Sequence, residues 1–227
     1  MTLYNSKPTI SLASGSPSGA GIPGLNEVFR FNVSADSRGD IGIDEFTFAM
    51  TSTDNGSNEW NYYDTDNDGQ DDDTVKPGLA ESELSFYDLD APSTAIDVDA
   101  DWAFYDSADG GISLTDTDDK IDWILLDLTT VDTVAAGDTV TYSLYMDTTG
   151  ASASSDDSLR IDLPANFTTA EKTTYDDANE ICVAAELPCG TLIWDDTNGY
   201  DGDSGDEDED IDGTLLGLPI SGGTIVY

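Results

Sequence analysis

A chain of 227 residues that carries 48 Asp and Glu against 7 Lys and Arg, with no histidine, has a formal net charge of −41. A field of that single sign repels nucleic acid and anionic lipid headgroups, which are bound through clustered cations, so these are excluded as partners. Without histidine the usual general base and most nucleophilic triads are missing, and the expectation is a protein that is not an enzyme.

The hydrophobic share of 38%, with ten tyrosines, is enough for a packed core, and one β domain with insertions is expected at this length. Residues 1–12, ending "NSKPTISL", read as a terminal strand. Pro8 cannot donate a ladder hydrogen bond, which suits an edge, and an uncovered terminal edge strand pairs readily with another chain. Docking of residues 1–12 on a neighbouring subunit is therefore expected, with 13–227 forming a single two-sheet β-sandwich, Ig-like or jelly-roll-like.

Strict alternation carries the rest of that assignment. "EVFRFNVSAD" places Phe29, Phe31 and Val33 on one face, and "DEFTFAM" does the same with Phe46, Phe48 and Met50. Ile41 and Ile43 have the opposite parity to Phe46 and Phe48, which predicts a bulge or kink near Asp44 and Glu45. "IDWILLDL" is apolar at both parities and reads as a central strand covered on both faces. "DTVTYSLYM" aligns Val140, Tyr142, Leu144 and Met146, and "SLRIDL" aligns Leu159, Ile161 and Leu163. Shorter strands are expected at "PTISLA", "LSFYDL", "WAFY", "TLIW", "TLLGL" and "GTIVY".

Polar insertions interrupt this pattern at 51–80, 106–120, 147–157 and 195–213, and the acid is concentrated in them. Long loops without structure of their own are uncommon in compact domains, so something is expected to order them. Calcium is the candidate, because a hard dication takes six to eight oxygens and alternate carboxylates on a glycine-bent loop converge on it. In "YYDTDNDGQDDDT", Asp64, Asp66 and Asp68 stand at positions 1, 3 and 5 of such a loop, Gly69 at 6, the Gln70 carbonyl at 7 and Asp72 at 9. This half resembles the EF-hand, dockerin and thrombospondin type 3 calcium loops. It departs from them at position 12, which is Val75, so Asp73, Glu81 or Glu83 would have to complete the shell. A second candidate set is Asp201, Asp203, Asp206, Asp208 and Asp210 in "YDGDSGDEDED". The competing reading is a salt-adapted surface; that 38 of the 48 acids are Asp, the shorter side chain, favours ion cages and turns.

Cys182 and Cys189 in "ICVAAELPC" are spaced for a local disulfide in an oxidising compartment, the alternative being two buried thiols; zinc would want more thiols or histidines. No apolar run is long enough for a membrane span. Together with sequons at Asn32, Asn55 and Asn166, these features point to an extracellular or cell-surface setting. Trp60, Tyr62, Tyr63, Trp102 and Trp194 could line a sugar platform for surface glycans, although strand aromatics more often pack in the core.

Three segments carry a resemblance to a family: "YNSKPTISLASGSPSG", "VFRFNVSADSRGDIGIDEFTFAM" and "LIWDDTNGY…DGTLLGLPISG". They resemble parts of uncharacterised β-sandwich domains in large secreted surface proteins of uncultivated bacteria. The resemblance implies fold and location and carries over no catalytic residue. The functional expectation is a calcium-stabilised structural subunit of an extracellular filament or surface layer, a homopolymer joined head to tail by terminal-strand addition. The alternative is a calcium-dependent adhesin or carbohydrate-binding module, which an exposed aromatic platform beside an acidic loop would favour.

Overall fold

The computed structural model describes residues 6–53, 84–106, 111–113, 121–152, 154, 156–164, 192–195 and 216–227. Among these residues the regular structure is all strand: β1 (Thr9–Leu12), β2 (Gly19–Ala20), β3 (Leu25–Ser34), β4 (Ile41–Thr53), β5 (Leu84–Asp88), β6 (Val98–Asp106), β7 (Gly111–Ser113), β8 (Ile121–Val134), β9 (Thr139–Asp147), β10 (Ser158–Leu163), β11 (Leu192–Asp195), β12 (Ile220–Ser221) and β13 (Ile225–Val226). They form the all-β, two-sheet sandwich that the alternation predicts. One sheet runs β1-β3-β9-β5; the other runs β2-β13-β10-β4-β8-β6-β7, with β11 on β4 and β12 on β10.

The sheets meet through the residues that alternation assigns to one face. Phe29, Phe31, Phe46, Phe48, Phe86 and Tyr142 are fully buried between them. Phe31 of the smaller sheet meets Phe46 of the larger edge-on at 5.2 Å, and Phe86 stacks on Tyr142 at 5.3 Å with 6° between the planes. Offset and edge-on aromatic pairs of this kind add to the burial of their area, so the six rings are the main anchor of one sheet on the other. Leu144, Met146, Leu159, Ile161 and Leu163 extend the core along both sheets.

The parity change at Asp44 and Glu45 is met by an irregularity in the ladder. β4 pairs with β8 as Ile43 opposite Asp132 and then Glu45 opposite Asp127, so four residues of β8 oppose Asp44 alone. That shift lets Ile41 and Ile43 face the core on one side of the kink and Phe46 and Phe48 on the other. β8 is a central strand by hydrogen bonding, with β4 and β6 on its two sides. Its Ile124, Leu126 and Leu128 are buried but Asp127 is exposed, so the cover expected on both faces is not complete at Asp127. Of "TLLGL", the described residues 216–218 form a bridge, Leu216 to Thr9, and no strand.

The antiparallel ladders also order the strand ends along the long axis. β3 runs from Leu25, opposite Asp147, to Ser34, opposite Thr139; β4 then returns from Ile41 to Thr53, whose partner is Ser158. The 13 residues of β4 span roughly 40 Å at about 3.3 Å each. At one pole lie Ser34, Ile41, Val134 and Thr139, and at the other Leu25, Thr53, Leu84, Ile121, Asp147 and Ser158. Ser6 lies at the first, or entry, pole, where its buried Oγ accepts from the Asp36 amide at 3.0 Å. Tyr227 lies at the second, or exit, pole, where its amide donates to the Asp157 carbonyl at 2.9 Å.

Candidate functional site

The predicted ligands Asp64, Asp66, Asp68, Gln70 and Asp72, the second set Asp201, Asp203, Asp206, Asp208 and Asp210, and the pair Cys182 and Cys189 all lie outside the described residues. So do Trp60, Tyr62 and Tyr63. What is described is the sandwich from which these segments depart. Residues 54–83 follow Thr53 and precede Leu84, which both sit at the exit pole. Asp106 and Gly111, which flank residues 107–110, and Ile121, which follows residues 114–120, sit at the same pole, since Asp106 pairs with Gly111 and Phe104 with Ile121. Residues 196–215 follow Asp195, which pairs with Gly42 near the entry pole. Residues 165–191 interrupt what is otherwise one line of pairing, because β10 and β11 lie end to end along the same side of β4.

The described residues of the insertion at 147–157 lie at the exit pole and are held there by hydrogen bonds. Thr148 donates from both its amide and its hydroxyl to the Gly24 carbonyl at 3.0 Å. The fully buried Asp157 accepts from the Ser152 amide at 2.7 Å. Asp147 accepts from the Thr149 amide and hydroxyl at 2.8 and 2.6 Å. These are the side-chain to backbone turns that make Asp, Ser and Thr frequent in such segments. Among the described residues, no three Asp, Glu, His or Cys are grouped so as to hold a metal ion.

The described surface does contain a shaped aromatic feature, on the outward face of the four-stranded sheet. Leu25, Ser85, Tyr87, Leu89, Pro92 and Tyr145 line an open hollow of about 320 Å³. Tyr145 projects outward because Leu144 and Met146 face the core, and Tyr87 because Phe86 does. The two rings meet edge to face, 5.4 Å apart at 78°, so they form a corner and not a flat shelf. Leu25, at 61% exposure, is open to solvent beside them.

Across the sheet from Ser85, Tyr145 is flanked by Glu27. The Arg30 guanidinium donates two hydrogen bonds of 2.6 Å to that carboxylate, and the Ser143 hydroxyl donates a third. The bond to Glu27 raises the Arg30 pKa above its ordinary value, against the smaller opposing effect of burial. A bidentate pair on a strand fixes both side chains, so Glu27 is oriented before any ligand arrives. Trp194, one of the sequence candidates for a sugar platform, is instead fully buried core. No motif marks Tyr87 or Tyr145; the signal available in the sequence is their outward parity in "LSFYD" and "TYSLYMD".

A second polar cluster lies deeper. The hydroxyl of buried Tyr142 donates to Asp132 Oδ2 at 2.6 Å, and Asp88 is paired opposite Tyr142 on β5. Burial pushes the Asp88 carboxyl above the usual carboxylate range, opposed by the Asp90 amide that donates to it. Among the described residues no helix is long and apolar enough to cross a membrane. Comparison with known proteins finds no family model that matches the chain and no curated protein similar to it.

Proposed function

We propose that the protein is a structural module of an extracellular or cell-surface array, joined end to end and stabilised by calcium held in its acidic insertions. The observation that carries this reading is the polarity of the chain: Ser6 is bound at one end of the sandwich and Tyr227 at the other. Copies of such a module propagate in a line when the exit pole of one meets the entry pole of the next. Such head-to-tail contacts do not close on themselves and give filaments.

The charge distribution supports a role for calcium in the same reading. The strand ends that flank the acidic segments, Thr53 and Asp195 among them, lie at both poles, and on this reading an end-to-end contact brings like charges together unless cations lie between them. Strand addition remains the joint we favour, and the pairing of β1 within its own chain supports one form of it. β1 pairs with β3 of its own chain, Thr9 opposite Ser34 through Leu12 opposite Phe31, with Ile10 buried. Addition is then an exchange, in which β1 of one copy takes the same register on β3 of the next.

The test is thermal melting and sedimentation in millimolar calcium and in chelator at equal ionic strength. A ligand that binds only the native state adds about 2.7 kcal/mol at a hundredfold excess over its Kd, so the melting temperature falls in chelator. Larger species present in calcium disappear both in chelator and on removal of residues 1–12. Identical melting and identical sedimentation in the two buffers overturn the proposal.

A further inference from the structure

We infer that the hollow between Tyr87 and Tyr145 binds the uncharged rings of a carbohydrate chain. Its size stands at the small end of the range for ligand pockets, and its lining combines apolar walls with a few polar groups, as such sites do. Leu25, Leu89 and Pro92 offer surface to the C–H faces of a sugar ring. The Tyr87 and Tyr145 rings offer an aromatic face and an edge at right angles to it. Tyr87, Tyr145 and Ser85 bring hydroxyl groups to the lining, the donors and acceptors a sugar requires. Glu27, fixed by Arg30 and Ser143, continues the polar row on the far side of Tyr145.

Charge selects among possible occupants. None of the six lining residues is Asp, Glu, Lys or Arg, whereas the molecule as a whole carries −41. An anionic ligand, or the face of a second equally acidic copy, approaches against that field; a neutral, hydroxyl-rich ligand does not. Position favours a chain over a small molecule. β5 is the last strand of its sheet, with Ile96 bridged to Phe86 on its outer side, and the hollow is open to solvent among the described residues, so a polymer can lie across it without threading.

The probes are immobilised neutral hexasaccharides of glucose, mannose, galactose and N-acetylglucosamine, with a uronic acid hexamer as the charged control, and the full-length protein is the analyte. Saturable binding to at least one neutral hexamer and none to the uronate is expected. Tyr87→Ala and Tyr145→Ala each weaken it by about tenfold or more, while Tyr145→Phe keeps the ring and most of the affinity. Near-ultraviolet circular dichroism confirms that each variant is folded. Absence of saturable binding to every neutral hexamer overturns the inference, as does binding that survives the double alanine substitution. So does a concentration-dependent dimer abolished by Tyr145→Ala, which makes the hollow a contact between copies.

Discussion

Replacing Tyr142 by Phe isolates one hydrogen bond in the centre of the sandwich. The ring is fully buried and stacks on Phe86, and Phe preserves both features, so the change removes little more than the hydroxyl that donates to Asp132 at 2.6 Å. A hydrogen bond to a charged acceptor contributes about 1.5–3 kcal/mol net. Asp132 is only half-buried, so water partly replaces the lost donor and the lower end applies, about 1.5 kcal/mol. For a chain of this length that corresponds to roughly 3–6 °C in Tm.

The pH dependence gives a second, independent readout. Burial, and then the hydrogen bond and charge of Asp132, hold the Tyr142 phenol well above its ordinary pKa. The folded state therefore binds that proton more tightly than the unfolded chain, whose phenols ionise near about 10. Above that pH the native state retains more protons than the unfolded state, and stability falls as pH rises. The Tyr142→Phe variant has no proton to lose at this position, so the gap between wild type and variant narrows above about pH 10. Urea unfolding at pH 7 and across the alkaline range measures both effects. Equal stability at pH 7, or a gap that stays constant as the pH climbs, refutes the assignment of this bond.

Three further outcomes follow from other parts of the molecule. Asp88→Asn keeps the oxygen that accepts from the Asp90 amide at 2.7 Å but removes a charge that burial disfavours, so it raises stability at pH 7. Because the folded carboxyl holds its proton above the ordinary range, that advantage fades as pH falls to about 4 and below, where both states are protonated; a variant less stable than wild type at pH 7 contradicts this. Gly217→Ala places a Cβ 1.9 Å from the Ile10 carbonyl at a φ of +94°, which loosens the Leu216 bridge to β1. The cost is about 2–4 kcal/mol from the backbone conformation and the lost hydrogen bond, measured by urea unfolding, and a change below about 0.5 kcal/mol rules it out. Changing Asp64, Asp66 and Asp68 together to Asn lowers the calorimetric calcium stoichiometry by about one while the fold persists; unchanged stoichiometry and affinity reduce this stretch to a solvated acidic loop.

The parts of the fold that can be read from sequence are those fixed by local alternation. Phe29, Phe31 and Val33, or Tyr142, Leu144 and Met146, announce their face without reference to any partner, and the parity change at Asp44 announces the kink. β2, β7 and β12 are two or three residues long and owe their existence to neighbours far away in the chain, so no pattern marks them. "TLLGL" has the composition of a strand, yet Gly217 has a positive φ and lies against the Ile10 backbone. Composition does not separate the two uses of aromatics either. Trp194 is core, whereas Tyr87 and Tyr145 become neighbours only because β5 pairs with β9. The calcium ligands rest on spacing alone, and they fall outside the described residues.

The proposed function requires that copies of this module join in line when calcium is present. Negative-stain electron microscopy of the purified protein, in millimolar calcium and in chelator at the same ionic strength, tests that directly. Strings of particles in calcium, repeating at about the length of one sandwich and dispersing to single particles in chelator, are expected. Single particles in both buffers at every protein concentration contradict head-to-tail assembly.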